Sequence, residues 1–280
     1  MRDLDLEKPE EEVAREATSP EVKEAAGLPL PDTMILEKEL NDEELTKVRK
    51  QWGLFQRLST LKVPNPLQIR IQAGLTPLVA GTLVHGTSYS REKIQALQAN
   101  GVLSGELIGI PEDSETHFCA DFYKIPHDTS VKDYVDWYHV PDEKRRPDGS
   151  LIMKSSKMER TFLPNKNSRT NDQVAILIDP NIAELKELLH MDPYNAEGRE
   201  EMKGIINQLP YDPNSPEGQR LSSILCGIPG NFISGIILPP KLAEDKDEVA
   251  FIRSVFENVA LFNTEGELIL GFFTRITTKK

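Results

Sequence analysis

The stretch from Leu83 to Gly105 constrains this chain more than any other. Thr82, Leu83 and Val84 favour extended backbone and are bounded by Gly81 and Gly86, which predicts the end of a short buried strand. A helix should follow. Ser90 is placed to cap it, Ile94, Leu97 and Val102 fall near one face, and Asn100-Gly101 supplies a stop. His85 therefore sits where a strand gives way to a loop, beside a glycine whose main chain a ligand can approach closely.

Other elements arrange themselves around that unit. Residues 41 to 59 predict a helix: Asn41 or Asp42 can cap it, Glu43 and Glu44 suit its first turn, and Leu45, Val48, Trp52, Phe55 and Leu58 recur at helical spacing. That stripe is expected to pack against the following domain. Residues 67 to 79 read as a second helix interrupted by Pro77, and Thr116 to Tyr123 as a strand dense in aromatics. A helix is expected over 127–139, and a buried strand over Val174-Ala175-Ile176-Leu177-Ile178, closed by Asp179-Pro180. Helices are expected over 181–189, 197–209 and 247–258. Two strands, Val259 to Phe262 and Leu268 to Phe273, flank the turn Asn263-Thr264-Glu265-Gly266. Residues 1–62 then form an acidic, partly disordered helical extension and residues 63–280 one folded domain.

Charge narrows the function. The 280 residues carry a net charge of −12, but residues 1 to 47 alone hold fifteen acidic and six basic side chains. Such a balance disfavours general nucleic-acid binding, which relies on Lys and Arg neutralising phosphates. The exception is His139 to Asp172, with eight Lys/Arg against five Asp/Glu, a stretch suited either to solvent or to anionic ligands. No apolar run approaches the roughly 20 residues that a membrane span needs. The acidic start, Met1-Arg2-Asp3-Leu4-Asp5, lacks the apolar core of a secretory signal. Cys119 and Cys226 lie in apolar contexts and read as buried thiols of a reducing compartment, and no Cys/His spacing suggests a metal. The expected location is cytoplasmic where the chain is made, with export to a host cell lacking a classical signal left open.

His85-Gly86-Thr87 at a strand end, then a helix with Ile/Leu spacing, then Asn100-Gly101-Val102-Leu103, resembles the opening motif of the ADP-ribosyltransferase superfamily, in its diphtheria-toxin and poly-ADP-ribose-polymerase branch. Phe118-Cys119-Ala120-Asp121 partly matches the second-strand motif of that family. The run Gly227-Ile228-Pro229, then Phe232-Ile233, then Gly235-Ile236, is similar to the element that follows the third motif strand in bacterial members. The resemblance spans Leu83 to Leu270. It implies an α+β fold of two packed, antiparallel-rich sheets (a split sheet), NAD as co-substrate and a protein as acceptor, in an enzyme of bacterial effector or toxin type. It further implies that His85 holds a ribose hydroxyl, that the Gly86 main chain holds the nicotinamide carboxamide, and that Thr87 or Ser88 assists. A second-strand aromatic would stack on the nicotinamide ring, with Phe118, Phe122 and Tyr123 all candidates.

The third motif departs from the family. Cleaving the nicotinamide–ribose bond passes through an oxocarbenium-like state that a carboxylate stabilises. The family supplies that carboxylate shortly before the Gly-Ile-Pro element, where Arg220 to Leu225 here contain none. Glu217 is the nearest substitute and the one favoured on sequence. Glu265 and Glu267 fall at a turn, Asp121 ends the second motif, and Ser222 or Ser223 are non-carboxylate alternatives. Two readings follow: a mono-ADP-ribosyltransferase acting on protein, or a catalytically silent module of the same fold. An RNA 2′-phosphotransferase-like activity shares the fold but fits the acidic charge poorly.

Overall fold

The first described helix, α1 (Asp42–Ser59), begins where the sequence places it. Asn41 Oδ1 accepts from the Glu43 and Glu44 amides, and the Glu44 side chain accepts in return from the Asn41 amide, a complete capping box. Its stripe Leu45, Val48, Trp52, Phe55 and Leu58 is buried, and the Trp52 and Phe55 rings stack 5.1 Å apart. Phe55 and Trp52 share a cluster with Phe118, Cys119, Leu225 and Cys226, so α1 belongs to the core of the fold that follows it. Burying each such side chain contributes about 1.5–3 kcal/mol.

This is a computed structural model, and it describes residues 40–105, 107, 118–138, 173–206, 209 and 211–269. The acidic segment 1–32, the predicted loop Ile108–Glu115 with His117, the basic stretch His139–Asp172 and the end of the last predicted strand lie outside the described residues.

After α2 (Pro66–Gln72) come β1 (Leu83–Ser88), α3 (Arg91–Asn100), β2 (Val102–Leu103), β3 (Cys119–Lys124), α4 (Val131–Tyr138) and β4 (Gln173–Ile178). The second half contains α5 (Leu185–Leu189), α6 (Ala196–Glu201), β5 (Leu221–Leu225), β6 (Gly227–Ile228), β7 (Ile233–Ile237), α7 (Pro240–Glu244), α8 (Lys246–Val255) and β8 (Ala260–Phe262). The architecture is α+β. One six-stranded mixed sheet has the order β5-β3-β1-β4-β7-β8, and β2 pairs with β6 in a small second sheet. Every pairing is antiparallel except β7 with β8. β4 is buried on both faces, as its unbroken apolar run requires.

Each face of the large sheet is covered. On one side Leu83, Phe122, Ile176 and Ile224 meet Ile94 and Leu97 of α3 and Ile252 of α8. On the other, Val84, Tyr123, Leu177 and Leu221 meet Leu67 of α2 and Val131 and Tyr134 of α4. The α3 unit matches its expected form: Ser90 Oγ accepts from the Lys93 amide, and Gly101 closes the helix at φ 79°. A Cβ at Gly101 would lie 2.1 Å from the Ile228 carbonyl oxygen, so the stop also packs its backbone directly against β6.

Three expectations are corrected. The helix predicted over 181–189 is confined to α5, because Asp179 Oδ1 takes the Asn181 amide and opens a turn instead. The helix predicted over 197–209 stops at α6, and Gly204 follows with φ 100°. The strand predicted from Thr116 is regular only from Cys119, since Phe118 takes φ 61° and breaks the alternation. The last predicted hairpin is present as far as the chain is described: Phe262 bridges Leu268 antiparallel, the Asn263 amide donates to the Glu267 carbonyl at 3.0 Å and the Ile269 amide to the Leu261 carbonyl at 2.9 Å, and residues 270–273 lie outside the described residues. No helix among the described residues is long and apolar enough to cross a membrane.

Candidate functional site

The sheet forks at His85. β1 pairs with β4 over all six of its residues, and β3 with β5 over five. Between β1 and β3 the register holds for only two pairs, Leu83 with Lys124 and Val84 with Tyr123. Beyond Val84 these two strands part. The Asp121 carbonyl, which a continued ladder would have satisfied with a β1 amide, accepts instead from His85 Nδ1 at 2.9 Å.

That bond sets the chemistry of the ring. A carbonyl only accepts, so Nδ1 carries the proton and Nε2 is the acceptor nitrogen. Burial pushes the His85 pKa below its ordinary value, partly countered by the bond to Asp121, and the ring is therefore neutral at pH 7. Its face is tilted 55° to Phe122, with centroids 5.6 Å apart. An acceptor nitrogen on a neutral, fixed imidazole is suited to a sugar hydroxyl.

Strand alternation sorts the surroundings into two rows across β1, β3 and β5. His85, Phe122 and Ser222 share the face that carries Leu83 and Ile224. Gly86, Asp121 and Ser223 share the opposite face, with Val84, Tyr123 and Leu221. On that second face Ser223 Oγ donates to Asp121 Oδ1 at 2.5 Å. The Tyr194 phenol lies near both acids: burial pushes its pKa up first, and the charges of Asp121 and Asp192 add to the shift.

Asp192 forms the outer wall. Its Oδ2 accepts from Ser222 Oγ at 2.6 Å, and its Oδ1 accepts from the Ser223 amide at 3.1 Å and the Tyr194 amide at 3.0 Å. It thereby closes the exposed edge of β5 with a buried carboxylate, whose pKa burial raises against the pull of those donors. Neither Asp192 nor Tyr194 was legible as a site residue. Both come from a turn 30 residues before the strand they support, and only the tertiary structure joins them.

The remaining candidates are dispersed. Thr87 is half-buried, and exposed Ser88 accepts from Lys93 Nζ through its hydroxyl. Phe118, Phe122 and Tyr123 are 1%, 0% and 8% exposed, each packed in a different cluster, so none presents an open ring face as an aromatic clamp would. The positive φ at Phe118 turns it toward Trp52 and Phe55, away from the cluster that holds Phe122. Glu217 is exposed in the turn before Gly218–Arg220. Because Leu221 is level with Val84, Glu217 lies off the end of the sheet where β1 begins, away from Gly86 to Ser88. Glu265 bonds Lys132 at 2.5 Å and Glu267 bonds Asn263 at 2.9 Å, both at the surface. Among the described residues no cluster of His, Cys, Asp or Glu could hold a metal ion.

Comparison of the chain with protein-family models, with curated proteins and with solved structures finds no match in any of the three.

Proposed function

We propose that this chain is an NAD-dependent mono-ADP-ribosyltransferase that modifies a protein, built on a split sheet whose fork receives the dinucleotide. One observation carries the reading: β1 and β3 separate directly beyond Val84, and the imidazole at the crotch, kept neutral by burial, has its tautomer fixed by the Asp121 carbonyl so that Nε2 accepts. The strand order supports it for the first two of the segments that resemble the family's motifs, which lie on the neighbouring strands β1 and β3, while the third follows β5 in the chain and falls on β6 and β7. In this reading His85 Nε2 accepts from a ribose hydroxyl, the Gly86 main chain holds the carboxamide, and Thr87 and Ser88 line the exit. The C1′–N1 bond of NAD breaks with its electron pair leaving on nicotinamide, and a nucleophile of the protein acceptor forms the new bond to C1′ while losing a proton.

Titration calorimetry of NAD against the full chain tests the first half. Binding is expected for the wild type, and His85→Ala should weaken it by about tenfold or more, the loss of one buried hydrogen bond and its orientation. Wild-type protein that takes up no NAD ends the proposal.

The second reading is a silent member of the same fold that binds NAD without breaking it. It is favoured by the buried candidate aromatics and by the lack of a carboxylate in Leu221–Leu225. Bound NAD that stays intact through a long incubation selects this reading over the first.

A further inference from the structure

We propose that the chain carries a second ligand site, a polar cleft that binds a linear polyamine at the end of the sheet opposite the fork. The inference is independent of the transferase reading above. The cleft has a volume of about 890 Å³, the size of a small-molecule site. Its place follows from the strand registers. Ile233 and Ser234 line it, Ile233 is level with Ile178, and Ile178 is level with Leu83, where β1 begins. The fork opens at the other end of β1, where Ser88 meets Gln173.

The hydrogen-bonding inventory of the walls selects the ligand. Asn231 spends its Nδ2 on two carbonyls, Leu58 at 2.9 Å and Leu61 at 2.7 Å, which fixes the amide so that Oδ1 is the acceptor left over. That oxygen is buried and has no partner among the described residues, a state that polar groups in folded chains rarely keep. Three hydroxyls on the walls have spent their only proton: Ser59 donates to the Gln56 carbonyl at 2.8 Å, Ser234 to that of Phe232 at 3.3 Å and Ser254 to that of Phe251 at 2.7 Å. What they offer a ligand is lone pairs. α1, α3 and α8 all end on these walls, through Ser59, Ala99 and Val255, and each brings the negative end of its helix dipole. The two charged side chains of the lining, Lys62 and Glu257, are both exposed and their charges cancel, which leaves the acceptors to decide. A nucleotide's phosphates would face three helix C-termini. A sugar would find no open ring to stack on, since Phe256 is 4% exposed. A linear polyamine meets the requirement: each ammonium is a cation with two or three N–H donors, and the methylenes between them can lie along Val63 and Pro64.

Titration calorimetry of the full chain with spermidine, at about 0.15 M salt to screen diffuse attraction, tests the site. One molecule should bind per chain. Hexamethonium, a dication of similar reach that has no N–H, should bind about tenfold more weakly or worse, because the charge-assisted hydrogen bonds are lost. Glu257→Lys and Gln98→Lys, both at exposed positions of the lining, should each weaken spermidine about tenfold or more. Glu200→Lys on α6 makes the same charge change as Glu257→Lys away from the cleft, and should leave binding within about twofold of wild type. Asn231→Leu should also weaken spermidine, and where melting shows that it does not fold, hexamethonium and the two exposed variants decide. Wild type that takes up no spermidine overturns the proposal. Hexamethonium that binds as well as spermidine overturns it, as does a loss in Glu200→Lys equal to that in Glu257→Lys, since either means that the net charge of −12 gathers cations without a site. NAD binding at His85 enters none of these comparisons.

Discussion

At the scale of single residues, the informative groups are polar atoms placed where a core would ordinarily be apolar. His85 is the clearest. Its native pKa lies below the 6.5 of the unfolded chain, so between pH 6.5 and lower values the unfolded state binds a proton that the folded state does not. Stability should therefore fall as pH drops through and below 6.5, and the contribution is fully present above it. The difference in unfolding free energy between wild type and His85→Gln, measured by urea titration at pH 5 and pH 8, should show this slope, with wild type losing more on acidification. Equal losses would mean that His85 titrates as it does in water. The buried acid acts in the other direction. Asp192 has its pKa raised above 3.8, so its ionisation opposes folding as pH rises, and the three donors around it limit that cost.

At the scale of elements, local rules and long-range packing divide the chain between them. The caps of α1 and α3, the Gly101 stop and the double-sided burial of β4 follow from side chains within a few residues, and each was legible. Replacing Gly101 by Ala should test the most stringent of these. The residue holds φ 79°, and a Cβ would sit 2.1 Å from the Ile228 oxygen, so α3 and the β2–β6 pair cannot both keep their places. A loss of about 2 kcal/mol or more is expected by chemical denaturation, against about 1 kcal/mol for a positive φ alone. What was not legible has one common cause: the deciding contact lies far away in sequence. The parallel partner of β8 is β7, whereas the Asn263–Gly266 turn signalled only a hairpin. Phe118 reads as a strand residue by composition, yet α1 draws its ring to the other side. In the candidate site the His-Gly-Thr segment was visible because its signal is contiguous. Glu217 was favoured because nearness in sequence stood in for nearness in space, and the pairing of Asp121 with Ser223 across 102 positions offered no pattern to find.

At the scale of the whole molecule, the fold consists of a broad four-strand body, β1-β4-β7-β8, and a narrow two-strand arm, β3-β5. The body is pinned from behind. Arg70 of α2 pairs with Asp179 at the end of β4, where the carboxylate is 1% exposed, and Arg70 also donates to the Pro77 carbonyl at 2.9 Å. Arg70→Ala would strand that buried charge, and a loss of about 3–5 kcal/mol is expected from thermal or urea unfolding. A loss below about 1 kcal/mol would show that water reaches Asp179 freely. The arm is joined by two ladder rungs, by the Ile125–Thr82 backbone bond next to them and by shared packing of Phe122 and Ile224 with Leu83 and Ile176, so that beyond Val84 the two halves stand like the jaws of a pair of tongs. Whatever closes between the jaws completes a joint the chain leaves unfinished. Hydrogen exchange at the Gly86 amide, on the β3 side of β1, should accordingly slow when the jaws grip, while that of β4 and β7 stays as it was.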